Sequence, residues 1–251
     1  KLELLLPCLD SFYEHCNPNL FDIFIADTGS SDEEKIQIKN YISLKSNINL
    51  IEYDYYNFAK INNDVVKNHI NNSYEFLLFC NNDIKLLNNA IYEMLKTFKE
   101  NPRTGTVGAR LHFEDGTIQH DGIFIYLKES NKNVVTNHKN KNAYYNFSNE
   151  ISEVVGNTAA LMMVRRDVFI KTGMFNEQYR HCFEDVELNL KLKLNNLINY
   201  TNGKCVAYHY ESKSRDISES SYEMNEDYNN MIFPIIKDNF EKLKKDIYIT
   251  Q

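Results

Sequence analysis

Three acidic groupings and one histidine carry the side chains most able to do chemistry in this chain: Asp27 in Asp27-Thr28-Gly29-Ser30-Ser31-Asp32, Asn81-Asn82-Asp83, Phe183-Glu184-Asp185, and His209. A carboxylate just past a strand can hydrogen-bond a base or a ribose, and Asp27 is so placed; its plainer role is an Asx turn that caps the next helix. Asp83 is suited to a divalent cation carried on a diphosphate, since Mg²⁺ is usually held by one or two carboxylates plus phosphate oxygens. A bare Asn-Asn-Asp also serves as a helix-start turn. Glu184 and Asp185 fit the first turn of a helix, where acids suit the dipole. They follow an aromatic stretch, Tyr179-Arg180-His181-Cys182, whose partial desolvation would tune a carboxylate toward general-base work. His209 opens Tyr210-Glu211-Ser212-Lys213-Ser214-Arg215, a run fit to cover an anionic group, although a lone strand-end histidine is more often structural.

Short apolar runs alternate with helical patterns in the first half, the reading of a mainly parallel sheet covered by helices. Helical spacing from Leu2 to Phe12 is followed by a strand at 21–26, a helix over 32–43, a strand at 48–53, a helix over 59–69, a strand at 74–80 and a helix over 88–100. Polar residues gather just past the strands' carboxyl ends, where ligands bind in open α/β sheets. Next, 106–111 and 122–127 flank Glu114-Asp115-Gly116-Thr117 and predict a hairpin, and 128–150 reads as a polar, irregular loop. An apolar run over 159–164, helices over 166–172 and 184–195, strands at 198–200 and 205–210 and a final helix over 222–244 complete the pattern.

Composition narrows the function classes. The 251 residues are 43% hydrophobic and 25% charged, which excludes a disordered chain and supplies a sizeable core. A net charge of −7 disfavours nucleic acid as a partner. No stretch approaches the roughly 20 apolar residues of a transmembrane segment. Five widely spaced cysteines without a C-x-x-C pair read as thiols of a reducing compartment. The 34 asparagines occur in every segment, and the sequence alone gives that bias no mechanistic weight.

In order and spacing these segments resemble the family 2 glycosyltransferases, which bind nucleotide sugars on the GT-A fold; the resemblance covers roughly 1–215. Ile25 to Asp32 is similar to the family's V-D-N-G-S-x-D turn, and Asn57-Phe58-Ala59-Lys60-Ile61-Asn62-Asn63-Asp64 to its G-F-A-x-x-x-N segment. Phe79-Cys80-Asn81-Asn82-Asp83 resembles the L-N-N-D form of the D-x-D motif, and Asp115-Gly116-Thr117-Ile118-Gln119-His120 through Gly122 the D-G-x-I-Q-x-x-G hairpin. Gly156 to Arg166, then Gly173-Met174-Phe175-Asn176-Glu177, then Phe183-Glu184-Asp185-Val186-Glu187-Leu188 look like G-x-x-x-L-x-x-R-R, G-x-F-D-E and F-E-D-x-D-L. His209 to Arg215 matches H-x-E-S-x-S-R.

The resemblance implies an inverting transfer of a sugar to an acceptor hydroxyl. Asp185 would be general base and Glu184 would orient sugar hydroxyls. Asp27, Asn62, Asn82 and Arg215 would bind the donor, with Ser212 and Ser214 near the diphosphate. Asp83 and His209 would hold Mn²⁺ or Mg²⁺. The donor expected is a UDP-sugar ahead of a dTDP-sugar, and the acceptor a glycan or lipid-linked glycan. The expected setting is cytoplasmic, peripheral at the inner membrane where the acceptor is lipid-linked. The expected partition is a GT-A domain over 1–215 and a C-terminal helical extension over 216–251. The alternative is a non-catalytic sugar- or nucleotide-binding domain that keeps the fold. Departures are Asn81 for Asp, Asn176 for the Asp of G-x-F-D-E and Glu187 for the second Asp of E-D-x-D. The family's opening apolar strand, ending near P-x-x-N, has no counterpart, so the chain is expected to begin one strand late.

Overall fold

Ser31 starts the helix after the first strand through a capping box: its hydroxyl accepts from Glu34 N–H at 3.2 Å and the Glu34 carboxylate accepts from Ser31 N–H at 3.0 Å. Such local rules account for most of the first half. The computed structural model describes residues 1–128, 133–144, 149–180, 182–210 and 220–250. It begins with α1 (Leu2–His15), β1 (Ile23–Asp27), α2 (Asp32–Ile42), β2 (Ile48–Glu52), α3 (Phe58–Asp64), β3 (Phe76–Cys80), β4 (Ile84–Leu86) and α4 (Ala90–Glu100). There follow β5 (Thr104–His112), β6 (Ile118–His120), β7 (Ile123–Lys128), β8 (Asn133–His138), β9 (Ile151–Val154), β10 (Leu161–Arg165) and α5 (Arg166–Lys171). The chain ends through α6 (Glu184–Leu194), β11 (Ile198–His209), α7 (Ser220–Asp227), α8 (Phe233–Asp238), α9 (Phe240–Leu243) and β12 (Ile247–Thr250).

The strands form an α/β arrangement of mixed rather than mainly parallel pairing. The central sheet runs β3-β10-β5-β11-β4, with β6 on β5 and β9 on β11. β5 and β11 are parallel, whereas β10 is antiparallel to both β3 and β5. β1 and β2 form a parallel pair of their own with Asp27 opposite Glu52. β7 lies between β8 and β12 in a third sheet.

Helices cover both faces of the central sheet. On one side Cys8 and Phe12 of α1 and Met94 and Phe98 of α4 pack on Val107, Leu111 and Ala207. On the other, Ala59, Phe169, Phe175, Leu188 and Leu192 pack on Leu77, Phe79 and Met162. A third cluster joins Ile125 of β7, Leu190 of α6 and Ile236 of α8.

Four readings change. The expected hairpin between 106–111 and 122–127 does not form: β6 takes the place beside β5, with Leu111 opposite His120. Gly122, at φ +99°, then turns the chain away, and a Cβ there would collide with Val154. The expected loop 128–150 contains β8, whose Val134-Val135-Thr136 is β-branched but framed by Lys and Asn. The two strands at 198–200 and 205–210 are one strand, β11, with an irregularity between Asn202 and Val206. The final helix is broken. Pro234, which has no N–H, stands in the first turn of a restarted helix, and the chain ends in β12, parallel to β7.

Candidate functional site

The start of α6 is set by Phe183, which caps it in the left-handed region at φ +82°. A bulky residue there is strained, and such strain clusters at functional sites. Glu184 and Asp185 occupy the first turn, as expected, where acids complement the dipole. Asp185 Oδ2 accepts from Ala159 N–H at 2.9 Å, and Oδ1 from Val186 N–H at 2.7 Å. Burial raises the Asp185 carboxyl above its ordinary range, and hydrogen bonds from Ala159, Val186 and Thr158 bring it partway back. The result is a poised carboxylate with both oxygens held in place. Glu184 is buried beside it.

Beneath this turn lies a buried network of asparagines and threonines. Asn189 Nδ2 donates to the carbonyls of Asp185 (2.7 Å) and Asn157 (2.9 Å), while its Oδ1 accepts from Thr106 Oγ1 at 2.7 Å. Asn157 Nδ2 donates to Thr106 Oγ1 and to the Tyr200 carbonyl, each at 3.0 Å, and Thr201 Oγ1 donates to its Oδ1 at 2.8 Å. Gly108 has no side chain because a Cβ would run into Asn157. The asparagine bias is therefore partly structural: these side chains tie the first turn of α6 to β5 and β11.

Two departures from the family pattern meet. Asn176 Nδ2 donates to Glu187 Oε2 at 3.0 Å, and Tyr179 OH donates to the same oxygen at 2.7 Å. A carboxylate at each position would repel across that contact, so the amide at 176 suits the longer acid at 187.

The second grouping forms at the end of β3. Asn81 N–H donates to the Ala160 carbonyl at 2.9 Å, one residue along from the amide that holds Asp185. The Asn81 to Asp83 turn and the Asp185 carboxylate thus share the Ala159–Ala160 segment. Asp83 is 3% exposed, and its Oδ1 lies 3.2 Å from His209 Nε2, bringing together the two residues expected to share a cation.

This is a close approach without a hydrogen bond, since Asp83 Oδ1 has no hydrogen-bonding donor among the described residues. His209 Nδ1 lies 2.6 Å from Gln119 Oε1, and Gln119 Nε2 donates to the His209 carbonyl at 3.4 Å. That amide orientation places the imidazole proton on Nδ1 and leaves the Nε2 lone pair between Asp83 Oδ1 and Asn81 Nδ2, which can donate to it across a long 3.4 Å. Two lone pairs 3.2 Å apart repel unless a proton or a cation lies at them, so the donor set fits a hard cation completed by phosphate oxygens. Gln119 lies in the D-G-x-I-Q-x-x-G segment but was given no role from sequence; a glutamine whose amide orients a histidine expected to bind a cation is the signal that would have found it.

Asp27, Asn62, Asn82 and Asp83 all line one cleft of about 1060 Å³. Asp27 Oδ1 accepts from Gly29 N–H (3.3 Å) and Ser30 N–H (3.0 Å), the Asx turn of the plainer reading. Its Oδ2 is buried without a hydrogen-bond partner among the described residues. Burying an unpaired acceptor costs about 1–3 kcal/mol, a cost that a hydrogen-bond donor entering the cleft would relieve. Asn62 Nδ2 donates back to the Phe58 carbonyl at 2.8 Å. Its neighbour Asn63 is the structural anchor, exchanging hydrogen bonds with the Phe175 backbone at 2.8 and 3.1 Å. Arg215, Ser212 and Ser214 lie outside the described residues.

The family described as Glycosyl transferase family 2 matches residues 1–173. The O-antigen biosynthesis protein RfbC of Myxococcus xanthus is 26% identical over 223 residues, 85% of this chain and 17% of its own length. An uncharacterized protein, y4gI, of Sinorhizobium fredii is 25% identical over 202 residues, 78% of this chain and 22% of its own length. The chain therefore spans less than a quarter of either relative.

Among solved structures, mannosyltransferase PcManGT from Pyrobaculum calidifontis, in complex with GDP-Man and Mn²⁺, superposes with a TM-score of 0.64 at 12% identity, over 96% of this chain and 65% of that one. GalNAc-T7 with UDP, GalNAc and Mn²⁺ gives 0.63 at 10% identity, over 84% and 41%. At such identities the likeness speaks for the fold, which is GT-A. Together with the match over most of its length, this fold shows that the chain belongs to glycosyl transferase family 2.

Proposed function

We propose that this domain transfers a sugar, with inversion, from a nucleoside-diphosphate donor to an acceptor hydroxyl. The observation that carries the reading is the Asp83–His209 approach at 3.2 Å, with the Nδ1 proton committed to Gln119 and Asp185 held on the adjoining Ala159–Ala160 segment. Asp83 and His209 would hold Mn²⁺ or Mg²⁺, and a cation there supplies positive charge to the departing diphosphate. Asp27, through its unpartnered Oδ2, takes a donor group of the base or ribose, while Asn62, Asn82 and Arg215 serve the rest of the nucleotide sugar.

Asp185 acts on the acceptor. Its carboxylate accepts the hydroxyl proton as the hydroxyl oxygen bonds to the anomeric carbon. The anomeric carbon–oxygen bond to the phosphate breaks at the same time, and its electron pair leaves on the diphosphate. Glu184, beside it, orients sugar hydroxyls. Attack opposite the leaving group inverts the anomeric centre.

UDP in one structural neighbour and GDP-Man in the other, each with Mn²⁺, support a nucleotide-sugar donor and a divalent cation here; the donor proposed is a UDP-sugar ahead of a dTDP-sugar. The O-antigen relative supports a glycan or lipid-linked glycan acceptor. No described helix is long and apolar enough to cross a membrane. The setting proposed is cytoplasmic, at the inner-membrane surface where the acceptor is lipid-linked.

Calorimetric titration with UDP, GDP and dTDP, with Mn²⁺ or with EDTA, tests the reading. It predicts Mn²⁺-dependent binding of at least one nucleotide that Asp83→Asn removes. Metal-independent binding unaffected by Asp83→Asn would contradict the cation site, and no binding in either condition would contradict the donor class.

A further inference from the structure

Phe183 and Tyr228, distant in sequence, meet ring to ring: their centroids lie 5.5 Å apart at 61°, an edge-to-face contact. The far end of Tyr228 is tied down as well, its OH donating to the Val134 carbonyl of β8 at 2.8 Å. The residue before it, Asp227, is 9% exposed, and its Oδ2 accepts from Arg180 N–H at 3.2 Å. Two neighbours at the end of α7 therefore grip the approach to Glu184 and Asp185 at two points, one polar and one aromatic. Beyond them the chain makes a π-helical turn over Tyr228–Ile232, closed by Phe233 N–H on the Tyr228 carbonyl. Such turns are frequent at functional sites.

The turn needs that grip. Phe183 caps α6 at φ +82° and ψ −5°, a left-handed conformation that a bulky residue keeps only where its surroundings over-determine it. The helix supplies one restraint, since Glu187 N–H donates to the Phe183 carbonyl at 2.9 Å. Every N-cap residue offers its carbonyl in this way, so the bond does not select the left-handed form. The selection must act on the Phe183 ring, which packs against the third core cluster with Tyr228 edge-on to it. Upstream, Asn57 Nδ2 donates to the carbonyls of Glu177 and Tyr179, each at 3.3 Å. The approach to Asp185 is thus strung between the start of α3 and the end of α7.

We propose that Asp227 and Tyr228 are positioning residues for sugar transfer, holding Phe183 in its left-handed cap and so setting where the Asp185 carboxylate meets the acceptor hydroxyl. The inference rests on Asp185 as the base. It carries the working site past residues 1–173, the span of the family match, into the segment that the sequence reading leaves as a C-terminal extension. Neither residue lines the donor cleft, so their effect falls on the transfer step and not on nucleotide binding. A misplacement of about 1 Å at a reacting group can cost roughly 10²-fold in rate.

The test compares Tyr228→Leu and Asp227→Ala with Tyr228→Phe, which keeps the ring, and Asp227→Asn, which keeps an acceptor for Arg180 N–H. Hydrogen exchange is read at the Val186 and Glu187 amides, which bond Asp185 Oδ1 and the Phe183 carbonyl, with β5 as the control. Turnover is read with UDP-, GDP- and dTDP-sugars and octyl glycosides as acceptors. In Tyr228→Leu and Asp227→Ala, exchange at the two amides is expected to speed at least tenfold while β5 keeps its rate. Their kcat should fall at least tenfold with donor KM and Mn²⁺-dependent nucleotide affinity within twofold, the pattern of an interaction lost in the transition state. The two conservative variants should stay within threefold of the unaltered chain in both readouts. Unchanged exchange or turnover in Tyr228→Leu and Asp227→Ala, faster exchange throughout β5, a matching loss of nucleotide affinity, or equal damage in the conservative variants would each overturn it. Asp185→Asn, run alongside, keeps the two readings apart: full turnover there sinks the base assignment, while exchange at Val186 and Glu187 still judges the grip of Asp227 and Tyr228.

Discussion

Ala159 N–H donates to Asp185 Oδ2 at 2.9 Å, and the neighbouring Ala160 carbonyl accepts from Asn81 N–H at 2.9 Å. Two adjacent residues of one segment therefore hold the Asp185 carboxylate and the turn that carries Asp83. Because both contacts use backbone groups, side-chain chemistry at 159 and 160 matters less than the path of the chain. The small side chains there, both buried, let the two motifs close on each other.

Gln119 fixes the proton of His209 on Nδ1. Replacing it by leucine leaves the imidazole free to rotate or to place its proton on Nε2, facing Asp83. Loss of such an outer partner typically costs 10–100-fold in metal affinity. Calorimetry is expected to find Mn²⁺-dependent nucleotide binding weakened by about that factor in Gln119→Leu, with thermal unfolding still cooperative.

Asn176 and Glu187 form a matched pair, so restoring the family's aspartate at 176 alone should do harm. Asn176→Asp removes a donor to Glu187 Oε2 and sets a second carboxylate within hydrogen-bond distance. We expect a loss of about 1–3 kcal/mol in urea unfolding at neutral pH. The loss should shrink as the pH falls and one of the two acids takes up a proton.

His120 is buried, with Nδ1 2.6 Å from His138 Nδ1, and Thr158 N–H donates to its Nε2 at 3.4 Å. Burial, then the charges of His138 and His209, hold its pKa well below the ordinary histidine value. The folded state thus resists a proton that the unfolded chain accepts below about pH 6.5. The stability this group contributes is complete above that pH and is lost as pH falls. The expected slope is at most about 1.4 kcal/mol per pH unit, and His120→Gln should remove this share from the urea midpoints measured between pH 7.5 and 5.5.

Much of the architecture was legible from local rules. Ser31 with Glu34, the Gly173 stop and the Glu184-Asp185 first turn each announce a helix end by residue type, and each lies where expected. Pairing was less legible. The motif around Gly116 suggested that the next apolar run would return beside β5, yet Gly122 diverts it, and a positive φ cannot be told from sequence at a residue that tolerates either sign. β12 and β8 were missed because each is a short run among Lys and Asn whose partner is distant in sequence.

The site divides in the same way. Asp83 and His209 were named individually from motifs, but the lone-pair approach between them depends on Gln119 and on the β4–β11 register that sets His209 opposite Ile84. The structural role of the asparagines was invisible from composition, since Asn157, Asn189 and Asn199 differ from exposed asparagines only in their burial.

The central claim is that Asp185 is the base for sugar transfer, and its replacement by asparagine tests this most directly. Turnover of a nucleotide-sugar panel with acceptor should fall by roughly 10²–10⁴ in Asp185→Asn, while calorimetric affinity for the nucleoside diphosphate with Mn²⁺ stays unchanged. In the unaltered chain the rate should rise with pH through a value above the ordinary aspartate range, because the base must be ionised and burial raises its pKa. Transfer by Asp185→Asn at the rate of the unaltered chain, or loss of nucleotide binding together with turnover, would contradict it.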